Sequence, residues 1–278
     1  MTRFLNIIFI SASLLISLDS VSQDIFDFQN SKKFAEYLKS TQQFSLASHE
    51  YERMFSLRPD DTVVFSNLIY TYRMTAQCET SFKNLQSLSL SDHLKTSSIA
   101  TEFLNLSLSC NCCFNKSDFE NALLSVSANK QVFYRLGKFV IENKLDSALI
   151  FSELNKNTMV QFYPELILEL EHYKNMKHKS PSLAIAMSAI LPGSGKAYCN
   201  RWGDAFMSLL FVSTNAWIAY RGFNKQGVKS ISGWIFGSLS VSFYLGNLWG
   251  SHRVAKVYNQ TNYDNFYSNA RKNIYNRF

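Results

Sequence analysis

From residue 24 to residue 178 the apolar positions recur at intervals of three and four, and nowhere does a period of two persist. That spacing lays them along one face of successive amphipathic helices. Phe34, Tyr37 and Leu38 mark the first face, and Phe44, Leu46, Ala47, Tyr51, Met54 and Phe55 the second. Arg58-Pro59-Asp60-Asp61 ends the second helix, because proline lacks an N–H donor and crowds the preceding turn. The next register begins near Thr62 and places Phe65, Leu68 and Tyr72 on one face, with Ser81 at the small position of its second helix. Further pairs are predicted over residues 93–109 with 118–126 and over residues 131–143 with 145–154. A closing helix follows from residue 163 to residue 174.

Beyond residue 181 the pattern changes. Residues 183–191 form an apolar stretch of nine residues, about 13 Å of helix. Residues 205–220 are uncharged, and an extension to Phe223, with Arg221 reaching outward, gives a first span over 205–223. Residues 231–250 are uncharged over about 30 Å, the thickness of a hydrocarbon core. Trp202, Trp217, Tyr220, Trp234 and Trp249 cluster toward the ends of these runs, where amphipathic rings favour headgroup depth. The expectation is a transmembrane helical hairpin joined by the polar connector 221–229. Small residues recur along its second arm: Gly233, Gly237, Ser238, Ser242, Gly246 and Gly250. Such residues let helix backbones approach closely. Their nearest partner is the preceding arm, and a homodimer through the same stripe is the other candidate.

Two resemblances follow from these residues. With Pro59 as a terminal proline, Ala47 falls on the small crossing position, Tyr51 on the aromatic position and Leu38 on a large one. In this the first pair resembles a tetratricopeptide repeat (TPR), a helix–turn–helix unit of about 34 residues. The resemblance implies a stacked solenoid whose concave side receives a peptide or a partner helix. The turn Pro192-Gly193-Ser194-Gly195-Lys196-Ala197-Tyr198 carries Pro192, Gly193, Gly195 and Tyr198 ahead of two apolar runs. It is similar to the Pro-Gly-x-Gly-x-x-Tyr signature of bacterial two-transmembrane-helix domains, seen also as the tail of exported repeat proteins. Those families have no established enzymatic activity, so the likeness implies architecture more than function. A phosphate-binding loop is excluded, because Ile190 and Ala197 stand where glycine and Ser or Thr are needed.

The amino terminus sets the compartment. Arg3, an apolar run from Phe4 to Leu18, and small Ser20 and Ser22 before Gln23 have the layout of a secretory signal peptide over residues 1–22. Export allows disulfides. Of the five cysteines, Cys110, Cys112 and Cys113 are too crowded for a structural zinc site, and a disulfide from Cys78 to one of these three is favoured.

Composition sharpens this only in part. The chain of 278 residues is 46% hydrophobic and 18% charged, which excludes disorder. The net +7 is uneven: residues 1–180 are near neutral, while residues 181–278 hold ten Lys and Arg against two Asp. The basic, aromatic tail over residues 259–278 includes Tyr263, Phe266, Tyr267, Tyr275, Arg271, Lys272 and Arg277. On an exported chain it fits anionic membrane lipids rather than nucleic acid. His49, His93, His172, His178 and His252 are scattered, and no catalytic or metal-ligating constellation is present in the sequence.

The sequence thus predicts an all-α protein. A signal peptide (1–22) precedes a TPR-like helical repeat domain (23–178), a membrane domain (181–258, with its second span at 231–250) and the tail. It is expected in the bacterial inner membrane with the repeats in the periplasm. It is expected to need no cofactor or metal and to act as a non-enzymatic scaffold or adaptor for envelope proteins. The alternative is an accessory subunit of a transport or membrane-protein assembly complex, acting through the hairpin.

Overall fold

A computed structural model describes residues 27–87, 93–110 and 115–278. The signal-peptide reading, Cys112 and Cys113 lie outside the described residues. Every regular element among the described residues is helical. They gather into two compact units that divide between Gln131 and Val132.

The first unit holds α1 (Phe28–Ser40), α2 (Phe44–Leu57), α3 (Thr62–Thr75), α4 (Cys78–Ser87), α5 (Ser97–Cys110), α6 (Lys116–Leu124) and the start of α7 (Ala128–Ile141). Local chemistry sets the ends. Asp27 caps α1 by accepting from the Asn30 N–H, and Asp61 caps α3 by accepting from the N–H groups of Val63 and Val64. Arg58, before Pro59, leaves helical geometry with ψ 82°. Helix α2 packs against α1 and α3, and α3 against α5. The core they enclose is apolar: Phe65, Leu68, Ile69, Phe103, Leu104 and Phe119 are fully buried. His93 is part of this packing, its ring 4.7 Å from Phe65 and 5.5 Å from Phe55. Ala47 and Tyr51 are buried as the crossing pattern requires, but Phe34, Tyr37 and Leu46 are exposed. The inward face of α1 is instead Ser31, Ala35 and Leu38, a small-residue line that admits α2 closely. Cys78 and Cys110 form a disulfide between α4 and the end of α5.

The second unit begins within α7 and continues through α8 (Leu145–Leu154), α9 (Lys156–Phe162), α10 (Pro164–Lys174), α11 (Pro181–Ile190), α12 (Ser194–Tyr198), α13 (Trp202–Gln226) and α14 (Ile231–Tyr275). Helix α9 is an element the periodicity did not predict. Helices α13 and α14 form a tight hairpin, turned by Gly227 at φ 60° and a single 3₁₀ turn, Gly227–Lys229. Ser230 caps α14 by accepting from the Gly233 N–H.

The tail corrects an expectation. Residues 259–278 do not form a separate interfacial segment, because α14 runs unbroken for 45 residues, about 67 Å. Its second half lies along α10. Phe266 packs against Tyr173 with ring centres 4.7 Å apart, and Ala270 and Ile274 are buried. The Tyr267 hydroxyl donates to the Ile141 carbonyl, and the Tyr263 hydroxyl to Asn143. The aromatic rings assigned to lipid headgroups are used for packing within the unit.

The membrane expectation is also corrected. Among the described residues no helix is long and apolar enough to cross a membrane. Length does not fail, since α13 has 25 residues; apolarity does. Residues 231–250 contain four serines, four glycines and Asn247, and the middle of α13 carries Ser213, Thr214 and Asn215. An uncharged run is not an apolar one. The spans at 205–223 and 231–250, and the inner-membrane location built on them, are withdrawn.

Candidate functional site

The Pro-Gly turn is the best-defined polar feature of the second unit. Ser180 and Pro181 start α11, and Pro192 follows its end. Gly193 then adopts φ 92°, a left-handed conformation that L side chains rarely take. A Cβ there would stand 2.2 Å from the Ala205 carbonyl oxygen, and one on Gly195 would stand 1.9 Å from that of Ala184. The two glycines therefore let the backbones of α11, α12 and α13 touch.

Such contact buries backbone amides, and each needs an acceptor. The Gly193 N–H donates to Asn247 Oδ1 at 3.1 Å, and the Gly195 N–H to Ser188 Oγ at 2.9 Å. Ser188 Oγ lies 2.7 Å from Ser251 Oγ, and Ser251 in turn donates to the Asn247 carbonyl. Asn247 Nδ2 completes the ring at 3.4 Å from the Ser188 carbonyl. Ser188, Asn247 and Ser251 are all buried. This network fastens the turn to the middle of α14. Tyr198 belongs to its edge: the Ser180 N–H donates to its hydroxyl, and the Lys179 ammonium sits 4.3 Å over its ring.

Lys196 lies under the turn. Its ammonium donates to Ser208 Oγ at 2.7 Å, and its stem crosses Gly250. Burial lowers its pKa, while the nearby Asp204 charge raises it. Asp204 accepts from Arg201 Nε at 2.9 Å, which makes it an ion-paired acid at the start of α13. An apolar cavity of about 510 Å³ opens beside the turn, lined by Met187, Leu191, Tyr198, Trp202, Phe206 and Leu209 among others.

The small-residue stripe is only partly as expected. Gly233 is buried, and Gly237 and Gly250 are half-buried, but Ser238, Ser242 and Gly246 are exposed. Steps of four advance 400° around a helix, so the line drifts; Gly246 ends about 140° away from Gly233. The buried line steps by seven: Gly233, Ser240 and Asn247, interleaved with Gly237, Tyr244 and Ser251. Opposite it, α13 buries Ala205, Val212 and Ala219, also seven apart. Seven residues fall about 20° short of two turns, so such a line stays on the partner. Ser240 Oγ reaches across to the Val212 carbonyl at 3.0 Å. Asn247, Ser251, Ser188 and Ser240 were missed as site residues; the seven-residue spacing was the signal for the three on α14, and Ser188 on α11 carried none.

A second polar cluster belongs to the first unit, on α1, α3 and α5. Lys39 donates to Asn67 at 2.7 Å and stands 4.6 Å over the Tyr70 ring. Arg73 lies 5.1 Å over the same ring and pairs with Glu102 at 3.2 Å. Nearby, Glu52 accepts from both the Tyr72 hydroxyl and Asn84, and burial, followed by that bond, raises the Tyr72 pKa. Among the described residues no group of three His, Cys, Asp or Glu is placed to hold a metal. Comparison of the chain with protein-family models, curated proteins and solved structures finds no match.

Proposed function

We propose that the chain is a non-enzymatic adaptor whose first unit is a TPR-like array of helix pairs binding an extended peptide or helix of a partner protein. The observation that carries this is the Tyr70 cluster. One aromatic ring is flanked by two cations, Lys39 and Arg73, and the group spans α1, α3 and α5. Lys39, held over the ring face, is already positioned for a partner's carboxylates and carbonyls, and Arg73, paired with Glu102, backs the ring. Exposed Phe34 and Tyr37 on α1 add apolar contact. The packing of α2 on α1 and α3, with Ala47 buried at the crossing, supports a repeat-like arrangement.

The test is crosslinking of the full chain in its native extract, followed by mass spectrometry, beside Lys39→Glu and Tyr70→Ala. The reading requires that one set of partners be lost from both variants while their helical circular dichroism is unchanged. Identical partner sets in all three would overturn it.

A second reading, an accessory subunit acting through the hairpin, is favoured by one observation. Phe206, Met207, Leu210, Trp217, Trp234 and Trp249 are exposed on α13 and α14, and contiguous apolar surface marks association. In the same experiment Phe206→Ser with Leu210→Ser would then remove the partners, and the Tyr70 variant would not.

A further inference from the structure

A second cavity of the hairpin differs in kind from the apolar one. It occupies about 320 Å³, within the range of small-molecule sites, between the segment after α12 and the middle of α14. Its walls include Cys199, Arg201, Arg253, Val257, Tyr258 and Asn262, with no carboxylate among the lining residues. Two arginines thus line a largely apolar hollow. Arg201 is oriented by Asp204 through Nε. Arg253 stacks 5.7 Å from the Trp249 ring and has no ion pair among the described residues.

A third cation stands close by. The Lys179 ammonium lies 5.8 Å from the Tyr258 ring, and its charge draws the Cys199 thiol pKa down against the larger upward effect of burial. The Lys179 backbone is fixed, because the Asn259 side-chain amide accepts from its N–H at 2.8 Å and donates to its carbonyl at 2.9 Å. Arg201 and Arg253 thus line this cavity beside a wall of Cys199, Val257 and the Tyr258 ring, with the Lys179 ammonium near that ring.

We infer that this cavity binds an anionic amphiphile, its carboxylate or phosphate head held by Arg201 and Arg253 and a short apolar body laid over Val257 and Tyr258. Guanidinium groups bind either head through paired charge-assisted hydrogen bonds. The apolar wall separates such a ligand from a free inorganic anion. The inference stands independently of the adaptor reading.

The experiment is isothermal titration of the full chain with sodium octanoate, octyl phosphate, 1-octanol and inorganic phosphate. At least one of the two octyl anions binds, and whichever binds tighter identifies the head. Octanol and inorganic phosphate each bind at least about tenfold more weakly, because each lacks half of the recognition. Arg253→Gln, at an exposed position, weakens the octyl anion by about tenfold or more, and Val257→Trp, which fills the cavity, abolishes binding. Octanol matching octanoate, both variants binding as the parent does, or no binding of either octyl anion would overturn the proposal.

Discussion

The two helical regions of this chain obey opposite packing rules. In the first unit large apolar side chains face inward: Phe65, Phe103 and Phe119 are completely buried. In the α13–α14 hairpin the inward positions are, Val212 apart, mostly small or polar: Ala205, Ala219, Gly233, Ser240, Asn247 and Ser251. Its large side chains, among them Phe206, Phe211, Trp217 and Trp234, face outward. Helices can be joined by removing apolar area from water, at about 25 cal/mol per Å². They can also be joined by bringing backbones close and satisfying each buried amide. The first unit uses area; the hairpin uses approach.

The largest effect should come from the first unit. Phe65→Ala removes a ring stacked 4.6 Å from Phe55 and should cost about 4 kcal/mol in urea denaturation. A loss below about 1 kcal/mol would mean that this unit does not rest on apolar burial. The counterpart at the turn that docks on the hairpin is smaller in atoms but comparable in kind. Gly195→Ala adds one methyl group against the Ala184 carbonyl and should cost about 3 kcal/mol, at the upper end of overpacking. If it is tolerated, close approach is not what fastens the turn.

The outward rings give the contrasting result. Phe211 stacks on Phe243 at 5.2 Å but stays half-exposed, so Phe211→Ser should cost about 1 kcal/mol. The same deletion of an aromatic ring thus has about a quarter of the effect seen at Phe65. A cost equal to that of Phe65→Ala would erase the distinction between the regions.

How much of this was legible follows from the same contrast. Where burial follows apolarity, the sequence pattern is sufficient: Leu38, Ala47, Tyr51, Phe65, Leu68 and Tyr72 were all expected inward and are buried. The exceptions, Phe34, Tyr37 and Leu46, are large residues displaced by smaller ones on the same helices. In the hairpin an apolarity pattern points to the outside of the bundle. The turn motif at Pro192–Tyr198 was visible as a motif, but Asn247, which accepts from the Gly193 N–H, lies 54 residues away in the chain, and Ser251 bonds Ser188 across 63. The unbroken continuation of α14 was hidden for a simpler reason. A change from apolar to basic composition at residue 250 changes what a helix touches, not whether it remains a helix.

The smallest effect concerns how that continuation ends. Arg277 pairs with Glu165 at 2.8 Å, which ties the chain's end to the start of α10. The Glu165 pKa is lowered first by its own backbone N–H at the helix start and then by Arg277. A depressed folded value means that the carboxylate's contribution is fully present above the ordinary carboxylate range. It is lost as pH falls through the folded value, so the end of α14 should open only in acid. Both groups are largely exposed, so salt should screen most of the pairing. Hydrogen exchange of residues 270–278 should therefore quicken slightly below the ordinary carboxylate range. In Glu165→Gln that pH dependence should vanish, and concentrated salt should bring the parent close to the variant. If the parent and Glu165→Gln respond to acid identically, α14 is held at its end by Phe266, Ala270 and Ile274 alone. The area rule of the first unit would then extend into the second.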